Sequence, residues 1–558
     1  DEYLPVTYEQ LDARIRAVAA GLLRAGVKPG ERVALLMENR PEWAVVDYAI
    51  LSIGAVTVPM YCTYRPQDVA YVLNDASAKI CITSGGNLLR HLLLAAEDAS
   101  GLKAMYAIDC GSNKHKRLHD FAELQTEMDE AAQKAVDKRL AAVSRDTLAT
   151  LIYTSGTTGD PKGVMLTHGN IMANLEVVPS VIKLGDGDVM LSFLPLAHAL
   201  ERTGSHFLAY SFGLSVAFAE RPDTVAKNLT EARPTLMVTV PRLLEVIRSR
   251  MLGQVAKQGG LSRFMFGQFL SLGMLARQGK LSALQAMRHR LLDRIVGRRI
   301  RERFGGRLQV LISGGAPLSV EVAGFFEALG LPVIEGYGMT EAAPLISVNP
   351  MHDRRIGSVG LPAHNEEVRI AEDGEIVVRG ANVMSGYWKR RKDSAETIVD
   401  GWLHTGDIGH LDDGYLYITD RKKDLIVNSG GENIAPQRIE GLLIGDIMID
   451  QAVVYGDKKP YLVALIIPNE EDCRAWAEEQ GLPETDWAHL CAAKLVRKHL
   501  QTRIADILKP INAFEQVRRI YVLETPLSMD EGLLTPTMKV RRRQVFERYG
   551  ELLEGLYR

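Results

Sequence analysis

Residues 152–163 read IYTSGTTGDPKG. Two apolar residues lead into a burst of Ser, Thr and Gly that cannot fill a core. Small residues let successive backbone N–H groups face one concavity, hydroxyls add donors, and Lys162 adds a positive charge. This composition suits the oxygens of a triphosphate. The spacing of Gly156, Gly159 and Lys162 differs from GxxxxGK[ST], which excludes the common P-loop. The stretch follows a strand-like run, TLATLIYTS, and precedes an expected helix, GNIMANLEVV.

Working outward, helical and strand signals alternate. TYEQLDARIRAVAAGLLRAG carries an apolar face at helical spacing and a Gly stop, and RVALLM follows as a short buried strand. PEWAVVDYAILSIGA and VTVPMY repeat the order, and AKICITS, VMLSFLP, TLMVTV and LQVLISGG read as further strands. The expected fold is α/β, with parallel strands joined by crossover helices. After about residue 360, EEVRIAEDGEIVVRG and GWLHTGDIGHLDDGYLYITD alternate with period two around Asp-Gly turns, as hairpins do. The expected layout is a large N-terminal domain (1–420) of α/β subdomains plus a β-rich one, then a smaller mobile α+β domain (421–558).

With 558 residues the chain exceeds one core. A net charge of −3 gives no global pull toward nucleic acid, and none is expected as a partner. The five cysteines are scattered without CxxC spacing, which argues against a zinc site and fits a reducing cytoplasm. No signal peptide is visible, the sequence opening on DEYLPVTYEQL inside a folded pattern, and no apolar run is long enough to span a bilayer. One segment departs from neutrality. Residues 242–307 hold 15 Lys and Arg against three acids, a net of +12. The bland reading is a solvated helical face; the functional one is peripheral contact with the inner face of the membrane, or with an acyl carrier.

YTSGTTGDPKGV resembles the signature of the adenylate-forming (AMP-binding) superfamily. Further blocks resemble the family in its order across nearly the whole chain: GAVTVPMYCTYRPQDVAYVLNDA, FLPLAHALER, ISGGAPL, EGYGMTEAAP, GWLHTGDIG and DRKKDLIVNSGGENIAPQRIE. LLTPTMKVRRR departs from the usual Pro-x-x-Gly-Lys, because Met538 stands where Gly is common. That form resembles the long-chain fatty acyl-CoA synthetase branch.

The resemblance implies roles at matching positions. Thr154, Ser155, Gly156, Thr157, Thr158, Gly159 and Lys162 would hold phosphates. Gly314, Gly315 and Ala316, with Glu335, Gly336, Tyr337, Gly338, Met339 and Thr340, would hold adenine and the acyl-adenylate. A Tyr ring stacks on a purine, and flanking glycines let backbone approach it. Asp407, expected in a hairpin turn, would take the ribose hydroxyls, with Arg421 nearby. Thr154 and Glu341 would bind Mg²⁺, a hard cation that keeps waters and bridges phosphates. Lys539 would be the catalytic cation, with Glu341, Thr340 and His198 beside it; His198, Arg202 and Val240 would border the acyl pocket. Gly430, Gly431 and Glu432 would border the CoA path, and the small domain would swing about Lys423. The implied reaction makes acyl-AMP from a fatty acid and ATP, then acyl-CoA from CoA. The alternatives are a fatty acyl-AMP ligase, or another carboxylate-adenylating enzyme that hands the acyl group to a carrier protein. A homodimer stays open.

Overall fold

The structure is a computed structural model that describes residues 3–125, 127–154, 160–482, 486–529, 531–535 and 539–558; of Pro222 and Asn433 it describes the backbone. The first helix, Tyr8–Arg24, starts at a capping box: Thr7 Oγ1 accepts from Gln10 N–H at 3.1 Å, and Gln10 Oε1 accepts from Thr7 N–H at 3.0 Å. Its face at Val18, Ala19 and Leu22 is buried.

Strand Arg32–Leu36 shows why a parallel sheet forms. Val33 and Leu35 join one buried cluster while Ala34 and Leu36 join another, so both faces are covered by helices. This strand is central in a seven-stranded sheet. On one side lie Ile80–Thr83, Ala104–Ala107 and Leu118–Asp120; on the other lie Val56–Pro59, Leu148–Thr154 and Lys162–Thr167. All neighbours are parallel except the last pair.

A second seven-stranded sheet repeats the logic. Val333–Gly338, Val310–Ser313, Leu236–Thr239, Val189–Ser192 and Ser215–Phe218 run parallel in that spatial order, and Leu345–Val348 and Leu361–Pro362 add an antiparallel edge. Met237 and Leu311 face one core, Leu236 and Val310 the other.

The expected hairpins form a third sheet: Glu366–Ile370 pairs with Glu375–Gly380, and Trp402–Asp412 with Tyr415–Arg421, all antiparallel. From Lys422 onward come a two-stranded ribbon, Ile426–Val427 with Asn433–Ile434, and a sheet of Ile449–Tyr455, Leu462–Pro468 and Val517–Val522 flanked by helices. The basic segment folds as helices Pro241–Ala256, Gly260–Arg277 and Ala283–Leu292, followed by helical turns to Arg303.

The helix expected after the 152–163 stretch is His168–Val181, reached through the strand Lys162–Thr167, which pairs antiparallel with Leu148–Thr154. One local expectation is corrected: Asp407 lies inside the strand Trp402–Asp412, opposite Arg421, not in a turn. Gly406, at φ +72°, precedes it and imitates a turn signal in the sequence.

Candidate active site

Open parallel sheets take ligands at the carboxyl ends of their strands. In the second sheet those ends deliver the expected residues side by side. Leu236–Thr239 runs into Val240, Val310–Ser313 into Gly314, and Val189–Ser192 into the segment bearing His198. Thr239 and Ser313 are register partners, and Gly314 N–H donates to Thr239 O at 3.2 Å. Gly315 has φ +83°, which a side chain would strain. Gly338 is fixed by contact: a Cβ there would stand 1.8 Å from Pro344 O.

Tyr337 is buried, and its hydroxyl donates to Asp407 Oδ2 at 2.7 Å. Arg421 Nε donates to Asp407 Oδ1 at 2.9 Å. One carboxylate thus ties the Gly-Tyr-Gly strand to the strand that leads into the small domain. Burial raises the Tyr337 pKa, and the Asp407 charge raises it further, so the phenol keeps its proton and donates.

Met339 N–H donates to Pro344 O at 2.9 Å, closing the loop that carries Thr340 and Glu341 in a single 3₁₀ turn. Glu341 is buried, and Tyr387 donates to its Oε1 at 2.8 Å. Burial raises the Glu341 pKa, against the Tyr387 hydrogen bond that lowers it. Lys162 stands 5.2 Å from the centre of the Tyr387 ring and forms an ion pair with Asp393. Thr154 is the register partner of Lys162, so strand end, lysine, tyrosine and glutamate form one connected wall. Ser155, Gly156, Thr157, Thr158 and Gly159 lie outside the described residues.

Among the described residues no group of three His, Cys, Asp or Glu could hold a metal alone. A divalent cation that retains waters and borrows phosphate oxygens needs less: one carboxylate and a hydroxyl. Glu341 fits, since a cation would offset the burial that disfavours its charge, and Thr154 supplies the hydroxyl beside Lys162.

Lys539 comes from the small domain, held by a hydrogen bond from its N–H to Thr535 Oγ1 at 3.0 Å and by its carbonyl, which accepts from Thr535 N–H at 2.8 Å. Solvent reaches its side chain, yet protein surrounds it closely enough for burial to lower its pKa. Arg421 lowers it further, while Asp407, Glu341 and Asp424 oppose that change. The same electrostatic neighbourhood includes His198, whose pKa is pushed down to about 4 by burial and then by the charge of Lys539. His198 Nδ1 accepts from Leu200 N–H at 3.2 Å, capping a short helix, so the ring is neutral and oriented. Lys539, Asp407, Arg421, Glu341 and His198 therefore share one electrostatic neighbourhood.

Gly430, Gly431 and Glu432 make an exposed turn on the small domain. Asn428 Oδ1 accepts from Gly430 N–H at 2.9 Å and from Glu432 N–H at 3.0 Å, and Gly431 has φ +84°. Lys423 is exposed, two residues beyond the strand Tyr415–Arg421.

Two expected site residues also have structural roles. Arg202 is buried, with its guanidinium bound by Asp47 at 2.5 and 3.1 Å and donating to Thr150 Oγ1 at 2.6 Å. It ties the segment after Val189–Ser192 to the first sheet. Burying such a pair costs the desolvation of both partners, and removing either one would leave an uncompensated interior charge. Glu335 is buried under the Gly-rich turn, where its carboxyl accepts from Leu318 N–H at 3.3 Å and burial raises its pKa to about 8. Its carboxyl also supports the Gly-rich turn through Leu318.

The sequence reading overlooked Tyr387 and Asp393. Their only local signal is GYWKRRKDSAE, a polar stretch after a Gly, and nothing in it indicates that a distant strand brings Lys162 alongside.

This fold and this cleft define an adenylate-forming enzyme. The sequence profile of AMP-binding enzymes matches residues 1–388, and that of the AMP-binding enzyme C-terminal domain matches residues 423–558. The chain belongs to the AMP-binding enzyme family. It is 35% identical to a long-chain-fatty-acid–CoA ligase of Mycobacterium bovis, over 99% of this chain and 92% of that one. It is 32% identical to the peroxisomal long chain acyl-CoA synthetase 6 of Arabidopsis thaliana, over 100% of this chain and 82% of that one. Among solved structures, the adenylation domain of a carboxylate reductase from Mycobacterium chelonae superposes with a TM-score of 0.77 at 24% identity, over 100% of this chain and 85% of that one.

Proposed function

We propose that this protein activates a long-chain fatty acid in two steps. The carboxylate attacks the α-phosphorus of ATP, giving acyl-AMP and pyrophosphate; the CoA thiol then attacks the acyl carbon and AMP leaves. The reading is supported by the Asp407 carboxylate, which joins Tyr337 of the Gly-Tyr-Gly strand to Arg421 at the domain boundary, and by Lys539 of the small domain lying within electrostatic reach of Asp407, Glu341 and His198.

The first step joins two anions, so its chief demand is charge neutralisation. Lys162 takes the phosphate end and Lys539 the reacting carboxylate and α-phosphate. Neutral His198 borders the acyl carboxylate without adding a charge beside it. Tyr337 and the 314–316 turn take adenine, and Asp407 takes the ribose. Magnesium held at Glu341 and Thr154 would supply further positive charge against the phosphate oxygens. For the second step the small domain swings about Lys423, carrying Lys539 away and bringing the 430–432 turn to the site. Unlike side chains, a glycine turn leaves a narrow path for a thiol arm. The substrate's chain length follows the names of the relatives and the Thr-Pro-Thr-Met-Lys form around Lys539. Location in the cytoplasm at the inner membrane face accords with a substrate that partitions into lipid.

The test is fatty-acid-dependent exchange of pyrophosphate into ATP, followed by acyl-CoA release across a panel of carboxylates of increasing length. Exchange without acyl-CoA would move the protein to the acyl-AMP ligases.

A further inference from the structure

The basic segment presents a surface that the cleft does not use. On the helix Ala283–Leu292 and its continuation, Leu284, Met287, Leu291 and Ile295 recur at helical spacing. A row of this kind ordinarily packs inward. Here it faces solvent: Leu284, Met287 and Leu291 are 62%, 63% and 59% exposed. The preceding helix, Gly260–Arg277, adds Leu261 and Phe264, 73% and 63% exposed, while its own packing face is satisfied by buried Phe266, Phe269 and Leu272. The exposed row is thus surplus to the core.

The cations around it are also uncommitted. Arg301 is held by Asp293, and Arg298 by Glu302. Among the described residues, Arg288, Arg290, Arg294 and Arg299 have no carboxylate partner, and all four are exposed. On a helical wheel Arg288 falls to one side of the apolar row and Arg294 to the other. Long arginine stems beside an apolar row can extend outward while their guanidinium groups stay in water. No helix among the described residues is long and apolar enough to cross a membrane, so the geometry fits a helix lying in the interface plane.

We propose that the helical hairpin of residues 260–299 is a docking surface for an anionic lipid bilayer, with Leu284, Met287, Leu291 and Phe264 entering the headgroup boundary and Arg288, Arg294 and Arg299 on lipid phosphates. The value of such a surface rests on the fatty-acid reading above, since the substrate resides in bilayers; the binding itself does not. An acidic protein would satisfy the arginines, but it gives no reason for a solvent-facing row of Leu and Met.

The experiment is co-sedimentation of the full chain with vesicles of phosphatidylcholine alone and of equal parts phosphatidylcholine and phosphatidylglycerol, at low and high salt. Wild type should pellet with the anionic vesicles, and salt should release it. Arg288→Gln, Arg294→Gln and Arg299→Gln together should lower the partition coefficient about 10²-fold, taking roughly fivefold for each arginine near an anionic surface. Leu284→Gln, Met287→Gln and Leu291→Gln together should abolish pelleting with the anionic vesicles. All six positions are exposed, so thermal unfolding midpoints should match wild type and exclude misfolding. Wild type that stays in the supernatant, or binding unmoved by both variants, overturns the proposal. So does binding to a purified acidic acyl carrier protein without binding to vesicles. Pyrophosphate exchange is measured separately, so loss of the fatty-acid reading and loss of the lipid surface are distinguishable.

Discussion

Replacing Lys539 with Ala tests the central assignment. A unit charge about 4 Å from a developing charge is worth about 4 kcal/mol at an effective dielectric near 20, or ~10³ in rate. Two features of the cleft adjust that figure. Solvent reaches Lys539, which weakens each interaction, and Arg421 remains in the same neighbourhood to take part of the load. The expected loss in acyl-adenylate formation is therefore about 10²–10³. The assay is fatty-acid-dependent exchange of labelled pyrophosphate into ATP. A second measurement starts from chemically made acyl-AMP and follows its reaction with CoA. There Lys539→Ala should act like wild type within a few-fold, because the small domain has turned Lys539 out of the cleft. The pH profile adds an independent readout. With its pKa lowered by burial and by Arg421, the ammonium loses its proton as pH rises through a value below that of an ordinary lysine. Adenylation should fall on that limb. Lys539→Arg, if active, should lack the limb, since a guanidinium stays charged. Equal losses in both half-reactions would refute the role.

If Lys162 binds phosphate as proposed, Asp393→Asn should lower the KM for ATP about three- to tenfold and tighten product inhibition by pyrophosphate, because Asp393 is paired with Lys162; the pair is partly exposed, so the effect is modest. Steady-state kinetics with ATP and pyrophosphate varied would decide, and unchanged constants would leave Asp393 a bystander. Glu341→Gln should raise the Mg²⁺ concentration needed for half-maximal exchange, and coincident Mg²⁺ titrations would reject the metal assignment. Glu201, fully buried beside Ser192, has its pKa raised by burial to about 8. The unfolded chain ionises this group near its ordinary value while the folded chain retains the proton, so stability falls as pH rises from about 5 to 8. Urea unfolding at both ends of that window should show Glu201→Gln with a shallower decline than wild type.

What could be read from the sequence follows from the range of the forces involved. Helix Tyr8–Arg24 and strand Arg32–Leu36 are fixed by contacts and periodicities a few residues apart, and both lie where the pattern puts them. The hairpins around Asp373-Gly374 and Asp413-Gly414 are equally local. The buried ion pair of Arg202 was not legible, because its partner, Asp47, is 155 residues away. A short run such as LAHALER cannot distinguish an arginine that lines a pocket from one that closes a buried ion network. Asp393 was overlooked for the same reason, its partner Lys162 lying 231 residues upstream. Asp407 was placed in a hairpin turn because Gly406 precedes it, and only the antiparallel register with Arg421 puts it inside a strand.

These long-range pairings share a physical consequence for the active site. Each involves a charged side chain whose role is set by a counter-charge on another element. Asp407 binds Tyr337 and Arg421, Asp393 pairs with Lys162, and Asp47 pairs with Arg202. The Lys162–Asp393 pair is partly exposed, so in the proposed reading it can exchange its partner for a ligand, whereas the Arg202–Asp47 pair is sealed; Asp407, buried itself, reaches the surface only through Arg421. Lys162 and Asp393 are 34% and 33% exposed, against 1% and 0% for Arg202 and Asp47. A partly exposed pair gains little from its own contact, so phosphate oxygens can displace Asp393 at small cost. A sealed pair is different: removing either partner leaves an unpaired charge in the interior. Substitution at Arg202 should therefore act through stability, and substitution at Asp393 through the handling of ATP and pyrophosphate.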